Sequence, residues 1–263
     1  MNLDIKNLSI EFYDAVNHEK AVDNISFCIP QGKIIGVVGE SGSGKSLTAM
    51  AIAGLLPRKK MYVKGEIDYR GENLLTMKRR ELRTIQGKEI AMIFQEPMTA
   101  LNPTMRIGYQ VEEALRIHTD MSKEEMKAEA VKWIGLVGID EPERIYRAYP
   151  HELSGGMRQR IMIAAAMIGK PSLLIADEPT TALDVSTQSE IIDLLIDLNK
   201  KNDMSVLFIS HDLSLVKCIA EYCIVMKDGQ IVEKGNTVDI FNNPTTEYTK
   251  KLIAAIPKVD LSK

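Results

Sequence analysis

One stretch of the chain combines the residue types that bind phosphate groups. It runs from Gly39 to Ser46, reads Gly-Glu-Ser-Gly-Ser-Gly-Lys-Ser, and follows the apolar run Ile34–Val38. Glycines let the backbone curl so that N–H groups point at phosphate oxygens, and a helix that begins there presents its positive end to the same anion. The pattern G-x-x-x-x-G-K-[ST] between a strand and a helix predicts a nucleoside triphosphate site. We call Gly39–Ser46 the phosphate loop.

In such a site the lysine reaches the β and γ phosphates and the serine after it binds Mg²⁺. Lys45 and Ser46 are predicted for these two roles. The residues predicted to contact the nucleotide in this stretch are Gly39, Glu40, Ser41, Gly42, Ser43, Gly44, Lys45, Ser46 and Leu47.

Two adjacent carboxylates end another apolar run. Asp177 and Glu178, the acid pair, follow Leu173–Ala176. Burying two carboxylates side by side is costly unless a cation or a proton compensates, and a Mg²⁺–nucleotide complex supplies the cation. We therefore predict that Asp177 acts on the metal and that Glu178 polarises the attacking water as a general base.

A third stretch offers bare anion-binding groups at the start of a predicted helix. Within Leu153–Arg160, which we call the Ser-Gly-Gly stretch, Ser154 stands at the cap position and Gly155 and Gly156 follow it. A hydroxyl and backbone N–H groups at a helix start attract anions. In isolation the same pattern is typical of a flexible helix start.

The elements that must position these residues indicate an α/β fold. The predicted strands are 34–38, 90–94, 173–176 and 206–209. The predicted helices are 46–56, 122–137, 156–168, 185–200 and 213–221. Nearly continuous apolar strands are typical of a sheet buried on both faces, with ligands beyond the carboxyl ends of its strands. A hairpin is predicted at Asp228-Gly229, and residues 96–149 interrupt the strands with mostly helical sequence.

Composition narrows the class of protein. The chain has 263 residues, a formal net charge of −3, 26% charged and 45% hydrophobic residues, which excludes a disordered or collagen-like chain. The mild acidity argues against a nucleic-acid-binding protein. The three cysteines, Cys28, Cys218 and Cys223, indicate a reducing compartment. Cys218 and Cys223 are predicted as small apolar core residues.

Membrane-spanning sequence is not expected. The longest apolar run near the middle, Ile161–Ile168, is far shorter than the roughly 20 residues of a spanning helix. The first residues lack the basic and apolar regions of a signal peptide. We expect a cytoplasmic chain that does not itself cross a bilayer.

In their order along the chain, these motifs resemble the ATP-binding subunit of an ABC transporter. The resemblance implies a P-loop NTPase (RecA-like) core with an antiparallel β subdomain and a helical insertion. It implies one nucleotide-binding domain over residues 1–263, in three parts. These are an ATP-binding core at 1–95 and 159–240, a helical subdomain at 96–158 and a C-terminal tail at 241–263. In that family the Ser-Gly-Gly stretch closes over the γ-phosphate held by a partner subunit, so the working unit is a head-to-tail dimer.

Other residues take their roles from the same resemblance. Gln95 matches the glutamine loop, which senses the metal and the attacking water, and Ala182-Leu183-Asp184 matches the D-loop, with Asp184 at the dimer interface. His211 matches the switch histidine on the γ-phosphate, although alone it reads as an exposed histidine. Phe12 or Tyr13 stacks on adenine, and the register favours Phe12.

The predicted roles divide into three sets. The predicted catalytic residues are Lys45, Gln95, Glu178 and His211. The predicted metal ligands are Ser46, Gln95 and Asp177. The further nucleotide contacts are Phe12, Tyr13, Gln95, Ser154, Gly155, Gly156, Asp177, Asp184 and His211.

Residues 87–103 and 148–152 narrow the resemblance to the oligopeptide, dipeptide and nickel importer ATPases. It implies ATP and Mg²⁺ as cofactors and hydrolysis that powers uptake of peptides or nickel chelates. The implied partners are a second ATPase subunit (a copy or a paralogue), two membrane permease subunits and an extracytoplasmic solute-binding protein, with no nucleic acid. The implied location is the cytoplasmic face of the membrane. Many relatives carry a cysteine cluster in a longer tail, and no cysteine follows Cys223, so no iron–sulfur cluster is expected.

Two other classes of protein share parts of the pattern. A soluble ABC-type ATPase that acts on nucleic acid or ribosomes usually carries long coiled coils or two ATPase domains, and neither fits in 263 residues. A P-loop kinase or GTPase would not need the Ser-Gly-Gly stretch. Copurification with membrane subunits, with nucleic acid or with neither distinguishes the three classes.

Overall fold

The computed structural model describes residues 3–13, 20–57, 59–181 and 183–256. The strands are β1 (Leu3–Phe12), β2 (Lys20–Ile29), β3 (Ile34–Val38), β4 (Met61–Tyr69), β5 (Glu72–Asn73), β6 (Ile90–Ile93), β7 (Leu173–Asp177), β8 (Ser205–Ile209), β9 (Tyr222–Lys227) and β10 (Gln230–Asn236). The helices are α1 (Lys45–Ile52), α2 (Arg79–Ile85), α3 (Pro97–Ala100), α4 (Ile107–Val111), α5 (Glu113–His118), α6 (Lys123–Leu136), α7 (Pro142–Arg147), α8 (Gly155–Met167), α9 (Val185–Asn202), α10 (Leu213–Ile219), α11 (Thr237–Asn242) and α12 (Glu247–Ala254).

The chain divides into two compact units. Unit 1 comprises Met1–Leu75 and Leu207–Lys263, and unit 2 comprises Thr76–Val206. The boundary falls inside β8. The phosphate loop therefore belongs to unit 1, whereas the acid pair and the Ser-Gly-Gly stretch belong to unit 2.

Unit 1 contains an antiparallel sheet with strand order β2-β1-β4-β5. Leu3 of β1 lies opposite Ile29 on one side and Tyr69 on the other. Along β1 the buried side chains are Leu3, Ile5, Leu8 and Ile10, and half-buried or exposed residues stand between them. This alternation is typical of a sheet that packs one face on a core. The sheet is the antiparallel part of the predicted fold.

The phosphate loop follows the other strands of unit 1. β3 is buried along its whole length and runs parallel to β9, which turns through Asp228-Gly229 into the antiparallel β10. Just after β8, the backbone N–H of Ser210 donates a 3.1 Å hydrogen bond to the Val37 oxygen of β3. The segments that follow β3 and β8 therefore leave the sheet at the same edge, which brings His211 to the side of the phosphate loop.

Unit 2 pairs β6 with β7 in parallel. Ile90 lies opposite Leu173, and Ile93 lies opposite Ala176. The helices α3 to α7 stand between β6 and α8 in the chain, and α8 packs against β6, α4 and α6. Because the carboxyl ends of parallel strands meet at one edge, Gln95 after β6 comes close to the acid pair at the end of β7.

The α/β class, the predicted strands and the predicted hairpin are confirmed. The helices are also present, with shifted ends. α1 ends at Ile52 instead of continuing to Leu56, because Gly54 adopts a left-handed φ of 68° and turns the chain. α10 ends at Ile219, where Ala220 takes an extended conformation.

The prediction for the cysteines is half right. Cys223 is buried, whereas Cys218 is exposed. α10 buries Leu213, Val216 and Ile219, a stripe at helical spacing that leaves Cys218 on the solvent side. Within the described part of the chain, no helix combines the length and the apolar character needed to cross a bilayer.

Candidate functional site

The phosphate loop leaves β3 and enters α1. Gly39 has a φ of 152°, and a Cβ placed on it would lie 2.2 Å from the backbone oxygen of Met226 in β9. Any other residue would collide with that strand. At the other end Gly44 is the N-cap of α1 with a φ of 96°. The packing of unit 1 itself therefore fixes both ends of the loop.

Lys45 places a positive charge inside this loop. The residue is 4% exposed, and its ammonium donates 2.8 Å hydrogen bonds to the backbone oxygens of Gly39 and Glu40. It also lies 3.4 Å from the hydroxyl of Ser43. The loop N–H groups and the start of α1 add further positive potential. Such an arrangement attracts an anion, and Ser46 is exposed next to it.

Two aromatic side chains stand at the end of β1 in the same unit. Phe12 is 44% exposed and Tyr13 is 46% exposed. The ring of Tyr13 meets that of Tyr62 edge-on, with centroids 4.4 Å apart, and both tyrosines line a cavity of about 250 Å³ beside Met61 and Leu56. Phe12 and Tyr13 both remain candidates for stacking on a base.

His211 is exposed directly after β8. Its neighbours are held in place: Asp212 accepts a 2.8 Å hydrogen bond from the Ser214 N–H at the start of α10, and Asp212 N–H donates to Ser210 Oγ at 2.9 Å. These bonds fix the backbone on both sides of the histidine. The side chain of His211 is therefore presented at the edge of unit 1 from which the phosphate loop emerges.

The acid pair of unit 2 is oriented by neighbouring side chains. Asp177 ends β7 and is 5% exposed. Glu178 has a φ of 48°, a left-handed conformation that is uncommon for residues other than glycine. Its Oε2 accepts hydrogen bonds from Gln95 Nε2 at 2.9 Å and from Thr181 Oγ1 at 3.0 Å. The structure thus brings together two residues predicted to act on the attacking water.

The Ser-Gly-Gly stretch begins α8 as predicted. Ser154 is the N-cap, and its Oγ accepts a 3.3 Å hydrogen bond from the Met157 N–H. Arg158 Nε donates to the Pro150 oxygen at 2.7 Å and so ties the helix start to the preceding turn. Among the described residues, no atom beyond the adjacent residues and the backbone of α8 lies within 4 Å of where a Cβ on Gly155 would be. The helix start is therefore open to approach from outside.

The predicted D-loop leads into α9. Asp184 is the N-cap of α9 and accepts hydrogen bonds from Thr187 N at 3.0 Å and Thr187 Oγ1 at 2.8 Å. These bonds lower the pKa of the Asp184 carboxyl below its usual value. A Cβ on Gly156 would lie 3.0 Å from Thr187 Cγ2, so this cap and the Ser-Gly-Gly stretch are neighbours. Ala182 lies outside the described residues.

Comparison with known proteins identifies the family. The ABC transporter family matches residues 22–181 of the chain. The chain belongs to this family. As an ABC ATPase it binds and hydrolyses ATP.

Curated relatives match this ABC protein over almost its whole length. The oligopeptide transport ATP-binding protein OppD of Bacillus subtilis (strain 168) is 47% identical over 261 residues, which are 99% of this chain and 73% of OppD. The dipeptide transport ATP-binding protein DppD of Haemophilus influenzae is 47% identical over 256 residues, which are 97% of this chain and 78% of DppD. Both are named for peptide transport.

A solved structure of an ABC protein has the same fold as this chain. The ATP-binding cassette MJ0796, a dimer in a post-hydrolysis state bound to ADP and Pi, superposes with a TM-score of 0.80 at 28% identity. The match covers 89% of this chain and 98% of the cassette. The P-loop NTPase fold of this ABC protein is thereby established.

Two contacts of this ABC ATPase were absent from the sequence prediction. Thr181 Oγ1 donates to the Glu178 carboxylate, and the short spacing of three residues is a local signal that the two side chains could meet. The contact of Tyr248 has no such local signal. Its hydroxyl accepts a hydrogen bond from the backbone N–H of Glu40, which lies far away in the chain. Only the fold brings these two residues together.

Proposed function

We propose that this chain is the ATP-hydrolysing subunit of an importer that takes up peptides. Its support is the near full-length similarity to OppD and DppD, both named for peptide transport. The chain would be a peripheral protein at the cytoplasmic face of the membrane, beneath two permease subunits. A solute-binding protein outside the membrane would deliver the peptide to them.

In unit 1 the phosphate loop would hold the triphosphate. Its N–H groups and the start of α1 would bind phosphate oxygens, and Lys45, buried in the loop, would neutralise charge on the β and γ phosphates. His211 would contact the γ-phosphate from the same edge of the sheet. Phe12 or Tyr13 would stack on adenine.

In unit 2 Glu178 would act as the general base. The observation that carries this assignment is its pair of hydrogen bonds from Gln95 Nε2 and Thr181 Oγ1, which fix the carboxylate at the end of β7. A fixed carboxylate can orient an attacking water and accept its proton. Catalysis would then consist mainly of positioning and electrostatic stabilisation.

The donor chemistry of each predicted ligand suits Mg²⁺, which such ATPases use. The predicted ligands Ser46, Gln95 and Asp177 offer a hydroxyl, an amide and a carboxylate, and Mg²⁺ prefers oxygen ligands from one or two protein groups together with substrate phosphates. Gln95 Nε2 is engaged with Glu178, so its amide oxygen is the atom suited to a metal. When bound, the ion would neutralise charge on the phosphate oxygens.

A second ATPase subunit would complete the site. The start of α8 carries the Ser154 hydroxyl and an open surface at Gly155, which suits it to the phosphate of an ATP held by a partner subunit. Asp184 at the neighbouring cap of α9 would lie at this interface. The partner would be a copy of this chain or a paralogue.

The decisive test is Glu178→Gln. The amide keeps the size of the side chain but cannot accept a proton, so ATP hydrolysis should fall at least about 100-fold while ATP stays bound. Glu143→Gln on α7, an exposed glutamate, is the matched control and should hydrolyse ATP at the wild-type rate. Undiminished hydrolysis by the Glu178→Gln variant would exclude Glu178 as the general base.

The transported solute is tested in the assembled importer. Reconstituted with its permease subunits and binding protein, the wild type should couple ATP hydrolysis to uptake of labelled peptide, and Glu178→Gln should abolish that uptake. Nickel chelates form the second arm. Uptake of nickel without uptake of peptide would overturn the peptide assignment and leave the ATPase assignment intact.

A further inference from the structure

The last described helix, α12, contacts the phosphate loop within unit 1. The hydroxyl of Tyr248 accepts a hydrogen bond from the backbone N–H of Glu40, with the two atoms 3.2 Å apart. On the ring of Tyr248, the ammonium of Lys227 lies 5.2 Å from the centroid, within the range of a cation–π contact. The tyrosine is half-buried, and both its ring and its hydroxyl have partners.

The Gly39–Glu40 peptide is held at both of its polar atoms. The N–H belongs to Glu40 and bonds to Tyr248, while the C=O belongs to Gly39 and accepts a 2.8 Å hydrogen bond from Lys45 Nζ. A peptide unit is planar and rotates as one body. Any rotation that breaks the contact with Tyr248 therefore also turns the carbonyl that holds the Lys45 ammonium.

The start of α12 is itself anchored. The carboxylate of Glu233 on β10 accepts hydrogen bonds from Thr245 N at 2.7 Å, from Thr246 N at 3.0 Å and from Thr246 Oγ1 at 3.0 Å. Inside the first turn of α12, Thr249 is fully buried and its hydroxyl lies 2.8 Å from that of Thr246. Tyr248 thus projects from a segment tied to β10.

We propose that Tyr248 is a positioning residue of the nucleotide site. By fixing the Gly39–Glu40 peptide, its hydroxyl sets the position of the Lys45 ammonium and thereby the affinity of the loop for ATP. The inference rests on the proposed role of the phosphate loop and adds to it a requirement for the C-terminal helix. Tyr248 acts through the loop backbone and touches no phosphate.

Tyr248→Phe tests the proposal, because it removes the hydroxyl and keeps the ring beside Lys227. In the full chain, the dissociation constant for ATP and the KM for ATP should rise about three- to tenfold, the loss expected for one hydrogen bond, while kcat stays at the wild-type value. Hydrogen–deuterium exchange at the Glu40 amide should accelerate. Tyr222→Phe, on β9 of the same unit, is the matched control and should change none of these quantities.

The outcomes separate this inference from the proposed function. Lys45→Ala should abolish ATP binding. If it does and Tyr248→Phe binds ATP like the wild type, the inference on Tyr248 is overturned and the phosphate loop keeps its role. If Lys45→Ala binds ATP normally, the proposed site itself fails. A loss of thermal stability in Tyr248→Phe without faster exchange at Glu40 would also overturn the inference, since it would show a general structural effect.

Discussion

Two glycine-bearing segments of this chain lead into helices, but packing requires a glycine in only one of them. In the phosphate loop of unit 1, a Cβ on Gly39 would meet the Met226 oxygen at 2.2 Å. In the Ser-Gly-Gly stretch of unit 2, a Cβ on Gly155 would meet no described atom within 4 Å beyond the adjacent residues and the backbone of α8. Gly155 also lies in an ordinary helix, where any residue fits. The first glycine is required by the fold, and the second is not.

The same contrast holds for charge. Lys45 is buried in the phosphate loop and bonded to two backbone oxygens of that loop. At the Ser-Gly-Gly stretch the guanidinium of Arg158 is bonded to the Pro150 oxygen of the preceding turn. The phosphate loop is thus organised by its own unit, whereas the Ser-Gly-Gly stretch offers an open surface. This difference is what the proposed dimer requires, with one segment binding ATP and the other closing on a partner's ATP.

The largest effect should come from Gly39→Ala. The new methyl group would collide with β9 in a backbone conformation that alanine avoids, and strain and overpacking together should lower the free energy of unfolding by about 2–6 kcal/mol. ATP binding should be lost with the loop geometry. Urea unfolding and calorimetry of ATP binding measure the two quantities.

Gly71→Ala is the matched control for this variant. Gly71 has a φ of 82° but, among the described residues, no neighbour within 4 Å of an added Cβ. It should show the cost of the backbone conformation alone, about 1 kcal/mol, with unchanged ATP binding. If Gly39→Ala and Gly71→Ala were equally destabilising, packing against β9 would not be the reason why position 39 requires glycine.

Gly155→Asp should show the opposite pattern. The site is open and an acidic residue suits the first turn of a helix, so the free energy of unfolding should change by less than about 1 kcal/mol. ATP binding to the chain's own phosphate loop should remain. ATP turnover of the dimer should fall about 100-fold, because the new carboxylate repels the partner's phosphate and disturbs an anion-stabilising helix start. Turnover at the wild-type rate would contradict the proposal that the Ser-Gly-Gly stretch acts on ATP held by the partner subunit.

Variants of the two aromatic residues at the end of β1 test which of them stacks on adenine in unit 1. Phe12→Ala should weaken ATP binding about tenfold, the loss typical of one base-stacking contact. Tyr13→Ala should have a smaller effect, since the ring of Tyr13 is already engaged edge-on with Tyr62. Fluorescent ATP titration measures both. The reverse ranking would assign the stacking role to Tyr13.

What the sequence could predict depended on how local each feature is. Lys45 and the acid pair stand in contiguous motifs after apolar strands, so the elements that carry them could be predicted from the sequence, and their roles stay predictions. Gln95 and Glu178 were both predicted to act on the attacking water, and the parallel pairing of β6 with β7 brings them into contact. The contact between Tyr248 and Glu40 joins distant segments and had no local signal. The prediction that Cys218 is a core residue was wrong, because the sequence alone did not show which face of α10 packs inward.

The last prediction concerns the anchor of α12. Burial would raise the pKa of Glu233, but hydrogen bonds from Thr249, Thr245 and Thr246 lower it to about 2, below the ordinary 4.5. A carboxyl whose pKa is lowered by folding stabilises the protein above its unfolded pKa, and this contribution disappears as the pH falls from 4.5 toward 2. In urea unfolding, the wild type should therefore exceed Glu233→Gln in stability at pH 6, and the difference should shrink toward pH 3. A difference that stays constant over this range would show that the carboxylate charge does not hold α12, and with it Tyr248, against unit 1.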